Sequence, residues 1–338
     1  MKHTVIGMDI AKHIFQLHCV DPSTGEIKRF KLKREQVLDF FAKQSPVLVA
    51  MEGCGGAHYW GRELSKLGHT VRLLPAKLVR PFVLRNKTDA GDARAIWVAA
   101  QQSDIKSITI KTEHQQSILA LHRIRSQLIK MRIMQTNALR GLLMEFGETL
   151  PEGYLALRKA LPVSLAALES KLPGMLLQTL REQWTRSQGL DQDIAAIELR
   201  LKHALAQSPA CKAIAEIPGI GLLTATAAVA TMGDPASFKN GREFAAWLGL
   251  VPRQTGTGGR IQQLGISKRG DAYLRTLLMH GARSLVNRNK QSVWITGLLA
   301  RRPYSVAVAA VANKLARILW SVLATGRPYE PATLSAAV

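Results

Sequence analysis

Two short apolar runs near the start of the chain each carry a carboxylate, and this placement restricts the fold more than any other feature. Asp9 interrupts Thr4-Val5-Ile6-Gly7-Met8-Asp9-Ile10, and Glu52 follows directly on Val47-Leu48-Val49-Ala50-Met51. An acid at the end of a buried strand is costly unless it is paired or metal-bound. Asp89 and Asp92 stand three apart at an expected helix start, so both point to one face. Four converging acids would form an oxygen-ligand site for a divalent cation, Mg²⁺ by ligand type, with Mn²⁺ as the alternative. Two such ions can clamp the attacking and leaving oxygens of a phosphodiester. Phosphoryl transfer on nucleic acid is therefore the expected chemistry.

The pattern around these acids alternates strands with helices. Strands are expected at 3–10, 14–20 and 26–33, the last two joined by the turn Asp21-Pro22-Ser23-Thr24-Gly25. A helix near 35–43, a strand at 47–51, a helix near 57–67, a strand at 70–74 and a helix from about 89 follow. Three meandering strands and then helix–strand units match a ribonuclease H-like (resolvase-like) α/β fold. In that fold the first strand, the fourth strand and a late helix bring acids to one edge.

Charge points to a polyanionic partner. The 338 residues carry 46 Lys+Arg against 24 Asp+Glu, a formal +22, which suits counterion-driven binding to nucleic acid. A hydrophobic share of 47% with mean hydropathy +0.01 excludes a solvated tail. The positive charge is densest at the far end: residues 1–112 carry 18 basic and 10 acidic groups, residues 113–210 carry 12 and 9, and residues 211–338 carry 16 and 5. Cys19, Cys54 and Cys211 are odd in number and far apart, so neither a disulfide framework nor a zinc spacing is expected. The start lacks the pattern of a signal peptide, and no apolar run is expected to reach transmembrane length. The expected location is the cytosol, without a membrane partner.

Residues 113–210 read as a helical connector. Leu121, Ile124, Leu128, Met131, Ala138 and Leu142 follow a near-heptad spacing, the pattern of either an intramolecular hairpin or a coiled-coil dimer. The C-terminal part, mainly helical, opens with Ile217-Pro218-Gly219-Ile220-Gly221, the turn of a helix-hairpin-helix-like motif. Gly219 and Gly221 there would let backbone N–H groups approach phosphate. A Gly- and Thr-rich loop from Pro252 to Arg260 would present hydroxyls among basic side chains, and Ile266-Ser267-Lys268-Arg269-Gly270-Asp271 leads into another helix.

Taken together, these segments resemble the DEDD transposases of the insertion-sequence-110 family, in the insertion-sequence-1111 subgroup. The resemblance covers nearly the whole chain. It rests on Gly7-Met8-Asp9-Ile10-Ala11-Lys12, Met51-Glu52-Gly53, Leu84-Arg85-Asn86-Lys87-Thr88-Asp89-Ala90-Gly91-Asp92-Ala93-Arg94 and, further on, Leu248-Gly249-Leu250-Val251-Pro252-Arg253 with the two C-terminal motifs above. It implies a catalytic domain over 1–112, a coiled-coil connector over 113–210 and a transposase domain over 211–338. It implies DNA recombination between donor and target under a structured guide RNA (bridge RNA or seekRNA type), by a homo-oligomer, dimer or tetramer, acting on the bacterial nucleoid. Matched residue by residue, the catalytic and metal-binding tetrad falls on Asp9, Glu52, Asp89 and Asp92.

The resemblance also implies a serine nucleophile in the loop after Pro252-Arg253, which forms a covalent protein–DNA intermediate in a site shared between protomers. Ungapped spacing places Thr257 there, beside Gly256, so this chain departs from the pattern. Thr257 ranks first as nucleophile, with Ser267 and Thr255 as alternatives. Arg85, Lys87, Arg253, Arg260, Lys268 and Arg269 are expected at nucleic-acid phosphates. Two competing functions use the same residues differently: a junction nuclease with water as nucleophile, and a non-catalytic nucleic-acid-binding protein whose acids are structural.

Overall fold

The computed structural model describes residues 5–84, 88–288 and 292–331, and the chain divides into two compact units, Met1–His114 and Gln115–Val338. The first unit is built on β1 (Val5–Ile10), β2 (Ile14–Val20), β3 (Ile27–Lys33), β4 (Leu48–Glu52) and β5 (Thr70–Leu74). α1 (Val37–Ala42), α2 (Ala57–Lys66), α3 (Ala76–Val79) and α4 (Asp89–Ala100) surround the sheet. The strand order is β3-β2-β1-β4-β5, antiparallel across the first three and parallel from β1 through β4 to β5.

Both faces of the sheet are covered, and the two-residue alternation of strands decides what each face receives. Ile6 and Met8 of β1, with Val49 and Met51 of β4, join the core that holds Phe15, Phe41, Trp60 and Leu64. Val5 of β1 and Leu48 and Ala50 of β4 turn to the other face, where Ala95, Ile96 and Ala99 of α4 pack. By the same alternation Asp9 and Glu52 project from the α4 face. Arg72 of β5 fixes the far end of α4, donating to the carbonyls of Ala100 (2.8 Å) and Ile105 (2.7 Å).

Among its described residues the second unit is helical apart from one hairpin. It contains α5 (Glu113–Met144, from Gln115 onward), α6 (Tyr154–Ala167), α7 (Gly174–Gln207), α8 (Pro209–Ala215), α9 (Leu222–Met232) and α10 (Gly241–Trp247). The hairpin β6 (Pro252–Thr257) and β7 (Arg260–Ile266) comes next, then α11 (Ala272–Arg288), α12 (Val293–Arg301) and α13 (Tyr304–Thr325). Connector and C-terminal helices share this unit, and a buried polar node ties them. His122 of α5 is 1% exposed, with Nδ1 3.0 Å from the Tyr273 hydroxyl and Nε2 3.0 Å from the Thr226 hydroxyl. The Thr226 hydroxyl donates to the Leu222 carbonyl, so Nε2 carries the proton and Nδ1 accepts from Tyr273.

Two expectations are corrected here, and a third, the stripe on α5, keeps both of its readings. The Gly/Thr-rich segment is a β-hairpin rather than a loop: Gly258 (φ 57°) and Gly259 (φ 80°) form a two-residue turn with both residues left-handed, which matches the twist of paired strands. On α5 the heptad-like stripe is covered only in part: Leu121 and Leu128 pack with Ile118, Ile197 and Leu201. Ile118, His122, Thr136, Leu139 and Leu143 are buried, whereas Ile124, Met131 and Leu142 are 43–47% exposed. Finally, α13 is long and apolar enough to cross a membrane by length and composition, although no run was expected to be. Lys314 and Arg317 interrupt it in sequence, yet more than half of its apolar window is buried in the core of the second unit. Lys314 lies over the Trp294 ring at 4.2 Å, and burial, then Arg317, lowers its ammonium pKa.

Candidate active site

The carboxylates of Asp9, Asp89 and Asp92 come together, with one oxygen from each within 4.8 Å of the other two. Asp9 and Asp92 are half-buried and Asp89 is exposed. Thr88 caps α4, its hydroxyl accepting from the Gly91 N–H at 3.2 Å. Both aspartates thus lie in the first helical turn, where unpaired N–H groups and the helix dipole favour negative charge. Gly7 brings that turn to Asp9. A Cβ on Gly7 would stand 2.6 Å from the Trp97 nitrogen and 2.8 Å from the Trp97 Cβ, so α4 rests on the bare backbone of β1. The Trp97 indole donates to the Val5 carbonyl at 3.1 Å and locks the contact.

Glu52 stands outside this group of three. It sits at the end of β4, one residue past the Met8–Met51 pair of the β1–β4 ladder, and so beside Asp9 on the same face. Cys54, two residues on, senses both acids: its thiol pKa is pushed up by local desolvation first, then by Glu52 and Asp9. At 4.8 Å two like charges repel by about 1 kcal/mol in water and about 3 kcal/mol at an effective dielectric of 20. Three carboxylates at this spacing form a hard-oxygen donor set that suits a divalent cation. Arg85 and Lys87 lie outside the described residues.

The remaining candidates are in the second unit. Thr257 is exposed at the end of β6, next to the glycine turn, and Thr255 is exposed two residues earlier. Ser267 is half-buried, its N–H donating to the Val251 carbonyl at 2.8 Å. The segment from Ser267 to Gly270 is pinned against the end of α10. Lys268 donates its N–H to the Gly249 carbonyl (3.1 Å) with φ of 53°, and Arg275 holds the carbonyls of Leu248 and Arg269. That turn presents Lys268 and Arg269 outward, and Arg253 and Arg260 are exposed on the hairpin. Gly219 has a packing role: its φ is 86°, and its Cα face meets the backbone of Gly281 on α11. Gly221 caps α9 and faces open space.

Comparison with known proteins identifies the family. Residues 211–294 match the family model "Transposase IS116/IS110/IS902 family", and residues 6–147 match a DEDD transposase model of the IS110 type. The "Probable family 20 transposase" of Pseudomonas aeruginosa is 45% identical, the match covering 96% of this chain and 98% of the relative. This chain belongs to the IS110 family of DEDD transposases. The "Transposase for insertion sequence element IS1328" of Yersinia enterocolitica is 39% identical, over 97% of this chain and 98% of that one. The "Transposase for insertion sequence element IS1111A" of Coxiella burnetii is 37% identical, over 96% and 91%. The chain is therefore a DNA transposase, an enzyme of DNA recombination.

In this transposase the residues that position the acids are ones the sequence reading passed over. Gly7 carried a usable signal, since a glycine inside a strand marks close backbone approach. Arg72 and Trp97 carried none, because their partners are distant in sequence.

Proposed function

We propose that this transposase cuts and rejoins DNA at the Asp9/Asp89/Asp92 group with Glu52 at its rim, and that a structured RNA chooses the sites. The observation that carries the reading is the meeting of three acids from a strand and a helix start within 4.8 Å, in a chain of this family. Asp9, Asp89 and Asp92 would hold Mg²⁺, with Mn²⁺ the alternative. Such an ion, when bound, supplies neutralisation of phosphate charge and activation of an attacking oxygen.

Thr257 is our choice of nucleophile over Ser267 and Thr255, because its hydroxyl is exposed at the hairpin turn. Its Oγ1 bonds to phosphorus, its proton passes to a carboxylate or to water, and the displaced deoxyribose oxygen leaves as a hydroxyl. A hydroxyl from the partner strand later attacks the same phosphorus and releases Thr257, so phosphodiester number is conserved. Residues 1–112 would serve as a ribonuclease H-like catalytic domain, a role supported by the strand order, with 113–210 as connector and 211–338 as the hydroxyl-bearing domain.

The exposed stripe Ile124, Met131 and Leu142 supports a coiled-coil contact between copies. Met131, Met134, Ala138 and Leu142 also line a cleft of about 570 Å³ with Gln183 and Leu190 of α7. The net charge of +22 supports the RNA and DNA partners, which place the work in the cytoplasm at the nucleoid. Cleavage of donor DNA with the cognate RNA tests the reading. It should require Mg²⁺ or Mn²⁺ and be lost in Asp9→Asn and Asp92→Asn; unchanged cleavage in both variants would overturn it.

A further inference from the structure

The β6–β7 hairpin is a ribbon covered on neither face. Every residue from Pro252 to Gly265 is exposed. An isolated two-stranded ribbon gains little stability of its own in water, so a partner surface has most to offer it. Its register sorts the side chains. Thr255 pairs with Gln262 and Thr257 with Arg260, which places these four on one face; Gln254, Gly256, Ile261 and Gln263 occupy the other. The first face is made of two hydroxyls, an amide and a guanidinium. No acidic residue occurs between Phe244 and Gly270, while Arg253, Arg260, Lys268 and Arg269 all do.

We propose that this face enters the major groove of duplex DNA and reads base edges there, with Gln262 and Arg260 as the specificity-determining residues. Two strands about 5 Å apart with their side chains fit a groove about 12 Å wide. A glutamine amide matches the N6/N7 edge of adenine and a guanidinium the O6/N7 edge of guanine. An RNA duplex does not fit, because its major groove is too deep and narrow for side chains to read. The proposal rests on the reading of this chain as a DNA-acting enzyme. It adds a sequence preference written in the protein beside whatever a guide RNA supplies.

The test is enrichment from a randomised DNA duplex pool by the full chain, without divalent metal and without RNA, so that cleavage plays no part. The wild type should enrich a short motif containing adenine and guanine. Gln262→Ala should lower the adenine preference, and Arg260→Ala the guanine preference, each by roughly ten- to a hundredfold. Gln263→Ala on the opposite face should leave the motif intact. Gln262→Lys should turn adenine into guanine at one position, a result that loss of the hairpin cannot mimic. Identical enrichment by wild type, Gln262→Ala and Arg260→Ala would overturn the proposal and leave the DNA-acting reading standing. Equal binding of an RNA duplex pool, or variants that change only self-association in sedimentation, would overturn it as well. A wild type that binds no duplex DNA without RNA would overturn the proposal and leave the RNA-directed reading standing.

Discussion

Replacing Gly7 with alanine should pull the carboxylates apart without removing any of them. The added Cβ would meet the Ala93 carbonyl oxygen first and stand 2.6 Å from the Trp97 nitrogen, and ordinary contact begins at 3.4 Å, so α4 must retreat by at least about 0.8 Å. The clash is with helix backbone, so no change of side-chain rotamer relieves it. Asp92 lies five residues before Trp97 in α4 and moves with the helix away from Asp9. Overpacking of this kind costs about 1–3 kcal/mol of stability, within what a folded domain tolerates. A misplacement approaching 1 Å at a reacting centre costs about a hundredfold in rate. The expected outcome is a folded Gly7→Ala protein with a lower melting temperature, unchanged DNA affinity and about a hundredfold slower Mg²⁺-dependent cleavage. Single-turnover cleavage alongside circular dichroism measures both arms. Wild-type cleavage rates in a folded Gly7→Ala protein would refute the idea that the contact of α4 with β1 sets the acid geometry.

Other outcomes follow from the same structure. Mg²⁺ at a hundredfold excess over its dissociation constant should stabilise the wild type by about 2.7 kcal/mol in thermal denaturation and leave Asp92→Asn unmoved; an equal shift in both would remove Asp92 from the metal site. Burial, with a smaller push from Arg125, lowers the His122 pKa from 6.5 to about 4. Between those values the unfolded chain takes up a proton that the folded one refuses, so stability should fall as pH drops from about 6.5 to about 4, by roughly 3 kcal/mol in all. His122→Gln should flatten this slope in denaturant titrations across that range, and a slope unchanged by the substitution would contradict the assignment. Met131→Glu with Met134→Glu should shift the chain to a smaller species in analytical ultracentrifugation, and an unaltered mass would exclude that stripe as the contact between copies.

The N-terminal half was legible because its signals are local. Alternation placed all five strands within a residue or two, and the position of Asp9 and Asp89 at element ends already implied that they meet. Glu52 was read with them, and the strand ladder sets it beside Asp9 on the same face. In the hairpin, composition misled: Gly256 and Thr257 suggest a loop, while the decisive signal was the two-residue Gly258-Gly259 spacing between runs. On α5 the period of the apolar residues was read correctly as helical. Periodicity does not say which face a neighbouring helix covers, however, and Leu139 and Leu143 rather than Ile124 and Met131 took the core. The His122 node joins residues 104 and 151 positions apart, and no local pattern announces such a contact.

The central proposal is that a hairpin hydroxyl attacks the phosphodiester in a reaction that also requires the carboxylates of Asp9, Asp89 and Asp92. The most direct measurement is a denaturing gel of protein, guide RNA, Mg²⁺ and labelled DNA, with peptide mapping of any covalent adduct. The account predicts an adduct on Thr257 that is lost both in Thr257→Ala and in Asp9→Ala. An adduct on Ser267 or Thr255 would keep the mechanism and move the nucleophile. Cleavage with free DNA ends and no adduct on any hydroxyl would contradict the account and assign the acids to a nuclease that uses water.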